Sequence, residues 1–553
     1  MLPHSGLSTL PTTAPLRIDI RRFPWIRRLA ADYAFDYTRL TDFFAGNPAE
    51  PDEWAAAIGR AQRHLRQRNL LTDILQAQQR ARGAPAEALA ATAVLRDPQS
   101  VAIVTGQQAG LFGGPLFTLL KALTAMRLAE EVRTRYRIPA VAVFWIDAED
   151  HDWSEVRSCG LLDAELAFRA ADAGTPAGAD VSPVARVQLD ATISDAVEAL
   201  AATLPPTEFT ADLLDGLRRA YQPGLGMADA FGRWLDALLG PRGLVVYDAS
   251  DAAAKPLAAQ VFAREIKSAG ETSRRAREAG ARLEALGYHA QATPQEGSLA
   301  LFHLNDSREP IRQAGNGAFT VGDRTLPGND LLTRVHQSPT EFSPSVLLRP
   351  IVQDTIFPTA CYVSGPSELA YLGQLKHVYE LFGVPMPLIA QRATATIVDA
   401  NTMRFLTRHD FPLESLRARD EAALNELLGH QLPPDVDREL EQLPHVIDAH
   451  LARLATAVTS IDATLEGATR STLGRMQDDV KKLQAKIIQA AKRKDETLRR
   501  QFQHAQAQAF PEGEPQERAL GFVYFLNKYG PALIDRLSEV LPGTHGTHHV
   551  LSV

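Results

Sequence analysis

Five short apolar runs constrain this chain more than any other feature: VAIV at 101–104, AVAVFWI at 140–146, GLVVY at 243–247, ACYV at 360–363 and PLIA at 387–390. They are rich in Val, Ile and aromatics and lack the apolar–polar alternation of a strand with one wet face. Such runs suit parallel strands covered on both sides. Helical patterns follow the first (PLFTLLKALTAMRLAEEV) and the fourth (ELAYLGQLKHVYELFG). Strand–helix–strand is the βαβ unit, whose crossover is right-handed. The expected fold class is therefore α/β, with a doubly wound parallel core.

The core is interrupted. About 95 residues separate the second and third runs and over 100 separate the third and fourth, so both gaps hold inserted subdomains. A chain of 553 residues also exceeds one core, at roughly 150 residues per domain. The expected organisation is a helical segment over 1–95, core parts at 96–154, 241–284 and 346–400, insertions at 155–240 and 285–345, and a final segment at 511–553. Within the second insertion, SLALFHL and GAFTV read as strands.

Residues 401–510 differ in kind. Ile447, Leu451, Leu454, Val458, Ile461, Leu465 and Ala468 alternate by four and three, a heptad seam. Leu473, Met476, Val480, Leu483, Ile487 and Ala490 continue it in another frame, with the slip around Gly467. Either one helix carries a skip there or two helices turn back on each other. Both give an α-helical coiled-coil arm, whose apolar seam points to a homodimer.

A net charge of −8 offers no global attraction to nucleic acid. The two cysteines, Cys159 and Cys361, form no CxxC pair, which suits a reducing compartment. No apolar window reaches the ~18 residues of a membrane span, and MLPHSGLSTLPTTAPLRIDIRR has no apolar signal region, so the expected location is cytoplasmic.

Ligands of open parallel sheets collect at the carboxyl ends of the strands, beside the switch in strand order. Four loops occupy such ends: TGQQAGLFGGP, DAEDHD (147–152), DASD (248–251) and SGPSE (364–368). In a sheet ordered 3-2-1-4-5, the first and fourth flank the switch point. The first is neither a Walker A loop nor a dinucleotide fingerprint. Its Gly106, Gly110, Gly113 and Gly114 let backbone approach a ligand. Pro115 opens a helix whose N-terminal amides suit an anion. Gln107 and Gln108 suit an amide, an amine or a hydroxyl. In the second loop, His151 beside Asp150 and Asp152 suits proton transfer or a phosphate contact, and the carboxylates suit Mg²⁺ or an ammonium group. No second His or Cys stands at transition-metal spacing. Asp248 and Asp251 read equally as helix caps. Arg349, Gln353 and Asp354 precede the fourth strand, and an Arg there can hold a carboxylate or phosphate. The candidate substrate-binding set is Thr105, Gly106, Gln107, Gln108, Gly110, Gly113, Gly114, Arg349, Gln353, Asp354, Gly365, Glu368 and Tyr371; the candidate catalytic set is Asp150, His151 and Asp152. The HGTHH run (His545, His548, His549) reads as a disordered tail. The basic stretch 481–500 reads as a solvated helix face, with RNA contact as the alternative.

VTGQQAGLFGGPLFTLLKA, FWIDAEDHDWSEV, RPIVQDTIFPTACYVSGPSELAYLGQLK, FGVPMP and PQERALGFVYFLNKYGP together resemble the cysteine-adding enzymes of bacillithiol biosynthesis. The resemblance runs from about residue 100 to 535. It implies a Rossmann-like core with two connective-peptide insertions and a dimerising coiled coil. It also implies a ligase that joins L-cysteine, through its carboxyl, to the amine of glucosaminyl-malate. The core is similar to class I aminoacyl-tRNA synthetases, but the HIGH tetrad and KMSKS loop are missing. Amide formation in water needs an activated carboxyl, and ATP or another nucleotide is the usual means. Rival readings are an RNA-linked synthetase paralogue and a non-enzymatic coiled-coil adaptor. The acidic net charge and the clustered polar loops speak against them.

Overall fold

The computed structural model describes residues 15–553 apart from 306, 420, 430–432, 495 and 542–545. It divides into two compact units. One comprises residues up to Thr396 together with Gln516–Leu551, and the other comprises Ile397–Pro515.

The first unit is built on five parallel strands: β1 (Val101–Gln108), β2 (Ala140–Asp147), β3 (Val245–Asp248), β4 (Thr359–Ser364) and β5 (Leu388–Gln391). Their order across the sheet is β3-β2-β1-β4-β5, so the switch point lies between β1 and β4. Both faces are covered, which explains the unalternating apolar runs. Trp145 and Tyr247 meet Phe357 edge to face on one side, and Phe144 meets Phe231 on the other. Helix α1 (Leu116–Glu131) crosses from β1 to β2 and is buried on nearly every side at its start. Two short helices follow strand ends, α2 (Trp153–Val156) after β2 and α4 (Glu368–Leu372) after β4, while α3 (Arg349–Ile356) leads into β4.

The first insertion opens with a hairpin, Ser158–Leu162 against Phe168–Asp172, and continues as helices Thr192–Thr203, Thr210–Ala220 and Met227–Leu239. The second contains a five-stranded sheet. SLALFHL and the AFTV of GAFTV are its strands Ser298–Leu304 and Ala318–Val321. Helices Arg28–Phe35, Pro51–Arg63, Arg68–Arg82 and Ala86–Ala93 precede the core.

In the second unit, α5 (Pro434–Val458) and α6 (Leu465–Lys494) turn back on each other, and α7 (Glu496–Ala509) follows. The Gln477 amide donates to Asp448 Oδ1 at 2.8 Å, which sets the two long helices side by side in opposite directions. The two-helix alternative therefore holds. The turn lies at 459–464, ahead of Gly467, because Asp462 accepts from the Thr464 backbone N–H at 2.8 Å and restarts the helix there.

The C-terminus departs from expectation. Instead of a disordered tail, Thr547–Ser552 is a strand paired antiparallel with Leu16–Asp19. His548 and His549 are buried in it, while His545 lies outside the described residues. The His548 ring sits between two hydroxyls, Thr394 Oγ1 at 3.0 Å and Thr396 Oγ1 at 2.9 Å. Burial depresses its pKa to about 4, so it is neutral at pH 7. Helix α8 (Phe522–Tyr529) belongs to the same C-terminal stretch and packs against α1.

Candidate functional site

The glycine segment after β1 has two halves with different surroundings. Its rear half, Gly110–Pro115, is packed into protein. Leu111 and Phe112 are wholly buried, and Tyr221 ties the turn by accepting the Gly113 N–H at 3.0 Å. Gly113 and Gly114 take φ of +96° and +80°, where a side chain is strained. A Cβ on Gly113 would collide with the Phe522 ring. The first amide of α1 is already taken. Leu116 N–H donates to Leu520 O at 2.8 Å, and Phe522 N–H donates to Gly114 O at 3.2 Å. Gly113 makes room for the Phe522 ring, while Gly110 and Gly114 pack closely against each other.

The front half faces the switch point. Thr105 is buried and donates to Val363 O at 2.9 Å, locking β1 to β4. At Gly106 a Cβ would stand 3.0 Å from Trp145 O, so only glycine passes there freely. Beyond it, Lys121 reaches up from α1. Its Nζ meets Gly106 O at 2.7 Å, Gln107 Oε1 at 3.2 Å and Glu368 Oε2 at 2.5 Å. This buried ammonium joins the first loop to the fourth. Glu368 is otherwise fully engaged: Oε2 accepts the Gly365 N–H at 2.6 Å, and Oε1 accepts the hydroxyls of Tyr362 at 2.9 Å and Tyr371 at 3.3 Å. Burial alone would raise the Glu368 pKa, but Lys121, the Gly365 amide and Arg349 together hold it below the usual value. Burial pulls Lys121 down, against the opposing pull of Glu368.

Arg349, at the start of α3, extends the network. It donates to Tyr371 OH at 3.0 Å and to Gln353 Oε1 at 3.2 Å, and its Nε stands 3.5 Å from Asp147 Oδ2 at the end of β2. Burial raises the Asp147 pKa, while Arg349 and Arg308 draw it back. The neighbouring carboxylates have their own cations. Glu149 is paired with buried Lys255, and Asp150 meets Arg308 at 3.2 Å. With Asp147, Glu149 and Asp150 turned to cations and Asp152 capping α2, this loop does not fit a protein-held Mg²⁺ cage. Among the described residues, no group of three or more His, Cys, Asp and Glu side chains converges as metal ligands.

The structure therefore gathers Gln107, Gly106, Gly365, Glu368, Tyr371, Arg349 and Asp147 at one rim. His151 stands at the exposed edge, its Nδ1 3.2 Å from Asp150 Oδ1. Asp152 is a helix cap, accepting from Ser154 Oγ and the Glu155 N–H at the start of α2. Gln108 is drawn aside to Glu155 Oε2 at 2.9 Å. Gln353 and Asp354 are buried away from solvent, with Asp354 accepting from Gln353 and Tyr379. They support Arg349 and α3 rather than facing a ligand. Asp248 and Asp251 accept from Ser250, Ala253 and Gln78 and act as turn caps. Cys361 is packed in β4, and Cys159 is buried beside Gly521. Sequence reasoning missed Lys121, Tyr362, Lys255 and Arg308. Lys121 had one signal: a lone charge in a helix start that is otherwise apolar all round (LFTLLKAL).

Two family profiles cover the chain. The bacillithiol biosynthesis BshC N-terminal Rossmann-like domain matches residues 16–393, and the BshC C-terminal coiled-coil domain matches residues 395–553. The chain is 34% identical to the "putative cysteine ligase BshC" of Salinibacter ruber, over 95% of this chain and 96% of the relative. It is 33% identical to that of Koribacter versatilis, over 97% and 99%, and 35% identical to that of Chlorobaculum tepidum, over 83% and 84%. A parallel α/β core with its switch point between β1 and β4, followed by a helical hairpin and matched end to end by these profiles, places the chain in the bacillithiol biosynthesis BshC family.

Proposed function

We propose that this chain is a ligase that joins L-cysteine, through its carboxyl group, to the amine of glucosaminyl-malate, with ATP activating the carboxyl. The relatives' name, cysteine ligase, supports the substrate class. One observation carries the location: Lys121 and Glu368 link the loops of β1 and β4 across the switch point, beside Gln107, Arg349 and Asp147.

Amide formation makes three demands. The carboxyl must carry a leaving group, the acceptor amine must lose a proton, and the carbonyl oxygen must be held as it gains negative charge. Arg349 and Arg308, which face Asp147 and Asp150, hold the charge balance of the rim. His151, exposed beside Asp150, takes the proton released as nitrogen bonds to the acyl carbon. The activating group then leaves with its oxygen. Purified protein incubated with L-cysteine, glucosaminyl-malate and ATP forms a cysteinyl amide with release of AMP or ADP, read by mass spectrometry and nucleotide chromatography. Absence of both product and nucleotide cleavage contradicts the proposal.

The helical hairpin exposes Leu454, Ile461, Leu465, Met476 and Leu483, apolar surface suited to a second copy of the chain. Sedimentation equilibrium at micromolar concentration returns a dimer on this reading, and a monomer refutes it.

A further inference from the structure

The Lys121 contacts carry one inference, which rests on the ligase reading above. We propose that Lys121 is a positioning residue that presents Gln107 to the substrate as a pure hydrogen-bond donor, aimed at the carbonyl oxygen of the activated cysteine.

An ammonium has three N–H donors, and Lys121 has three acceptors: Gly106 O, Gln107 Oε1 and Glu368 Oε2. Its side chain is 3% exposed. It therefore has neither a spare donor nor access to a substrate, and it acts through what it holds. Glu368 is held by four donors and has no role left as a base. Gln107 is different. A free glutamine can turn either end of its amide outward. Here the carbonyl end is fixed against a cation, so the NH₂ end points away from it. Gln107 Nε2 makes no hydrogen bond among the described residues, and its side chain is half-buried at the end of β1. An unspent polar group at a strand end beside the switch point marks where a polar ligand atom belongs.

The charge argument identifies that atom. As the amine adds to the activated acyl group, the C=O π bond opens and its electron pair goes to oxygen. A fixed donor aimed there stabilises the transition state more than the ground state. Lys121 further polarises the Gln107 amide through its carbonyl, which strengthens the outward N–H. It also prevents the flipped amide, whose carbonyl would repel the developing oxyanion.

The test compares Gln107→Ala, Gln107→Glu, Lys121→Met and the Gln107→Ala/Lys121→Met double variant by kcat and KM for cysteine, with thermal midpoints measured in parallel. Gln107→Glu keeps an acceptor for Lys121 but has no N–H to donate. On this inference it folds like the wild type yet loses kcat about as much as Gln107→Ala, roughly 100-fold by the usual effect of one oxyanion donor, with KM within about threefold. Lys121→Met shows a comparable kcat loss, and the double variant is within about threefold of the slower single. A Gln107→Glu enzyme with wild-type kcat overturns the inference, as do losses that multiply independently in the double variant. Cysteinyl amide formed by the wild type in these runs keeps the ligase reading separate from this result. Its absence overturns the reading and the inference together.

Discussion

The two halves of one glycine segment, Thr105–Gln108 and Gly110–Pro115, look alike in sequence and do opposite things. The rear half is closed by protein: Phe522 fills the space left by Gly113, and Leu520 takes the first free amide of α1. The front half ends on the buried Lys121 and leaves the Gln107 amide unspent. Glycine is required in both, but for different reasons. In the rear it admits a neighbouring ring and a left-handed backbone. At Gly106 it clears the strand end against Trp145. Strand–glycine–helix composition alone does not distinguish a binding loop from a packing turn; what fills the space does.

Substitutions can break this contrast. Phe522→Ala empties a fully buried ring site and destabilises the first unit by about 3–5 kcal/mol in denaturant titration, while the folded fraction keeps its turnover. Loss of turnover per folded molecule would make the rear half part of the site. Glu368→Gln leaves Lys121 without its counter-charge. Since Glu368 is partly open to solvent, the expected cost is about 2–3 kcal/mol, below that of a fully buried pair, and turnover falls as well. Because the folded-state pKa of Glu368 is depressed, its stabilisation is present above the usual glutamate pKa and is lost as pH falls through the lower folded value. The wild type should therefore lose more stability on acidification than Glu368→Gln. Gly113→Ala meets the Phe522 ring in a strained backbone region and costs about 1–3 kcal/mol, again with turnover per folded molecule retained.

His548 sharpens the same comparison from the C-terminal side. Its folded pKa of about 4 lies below the ordinary 6.5, so between these values the unfolded chain binds the proton and the folded chain does not. Stability therefore falls as pH drops from 6.5 towards 4, by up to roughly 3 kcal/mol, and His548→Gln flattens that slope. An unchanged slope would remove His548 from the acid response. The smallest stability effect belongs to His151→Ala. The side chain is exposed, so unfolding free energy moves by less than about 0.5 kcal/mol, while amide formation slows if it takes the amine proton.

The core was legible because strands buried on both faces are written as unbroken apolar runs, and the loops following them mark the ligand rim by topology alone. Gln107, Glu368 and Tyr371 were reached that way, and Arg349 from its place just ahead of the fourth strand. What was not legible depends on distant partners. Nothing near Gly113 announces Phe522, some 400 residues away. Nothing in HGTHHVLS announces the strand at Leu16–Asp19, because histidines mask the alternation that Val550 would otherwise signal. Lys121 stands alone among apolar residues in LFTLLKAL, but its partners Gly106, Gln107 and Glu368 come together only in the fold. Gln353 and Asp354 read as ligand contacts because composition cannot tell which face of α3 meets the crevice.

The contrast between the two halves is tested most directly by the rate of cysteinyl amide formation per folded molecule in Gln107→Ala set beside Gly113→Ala. The account predicts a loss of about 100-fold in the first and wild-type turnover in the second. Equal losses in both, or a loss only in Gly113→Ala, would contradict it.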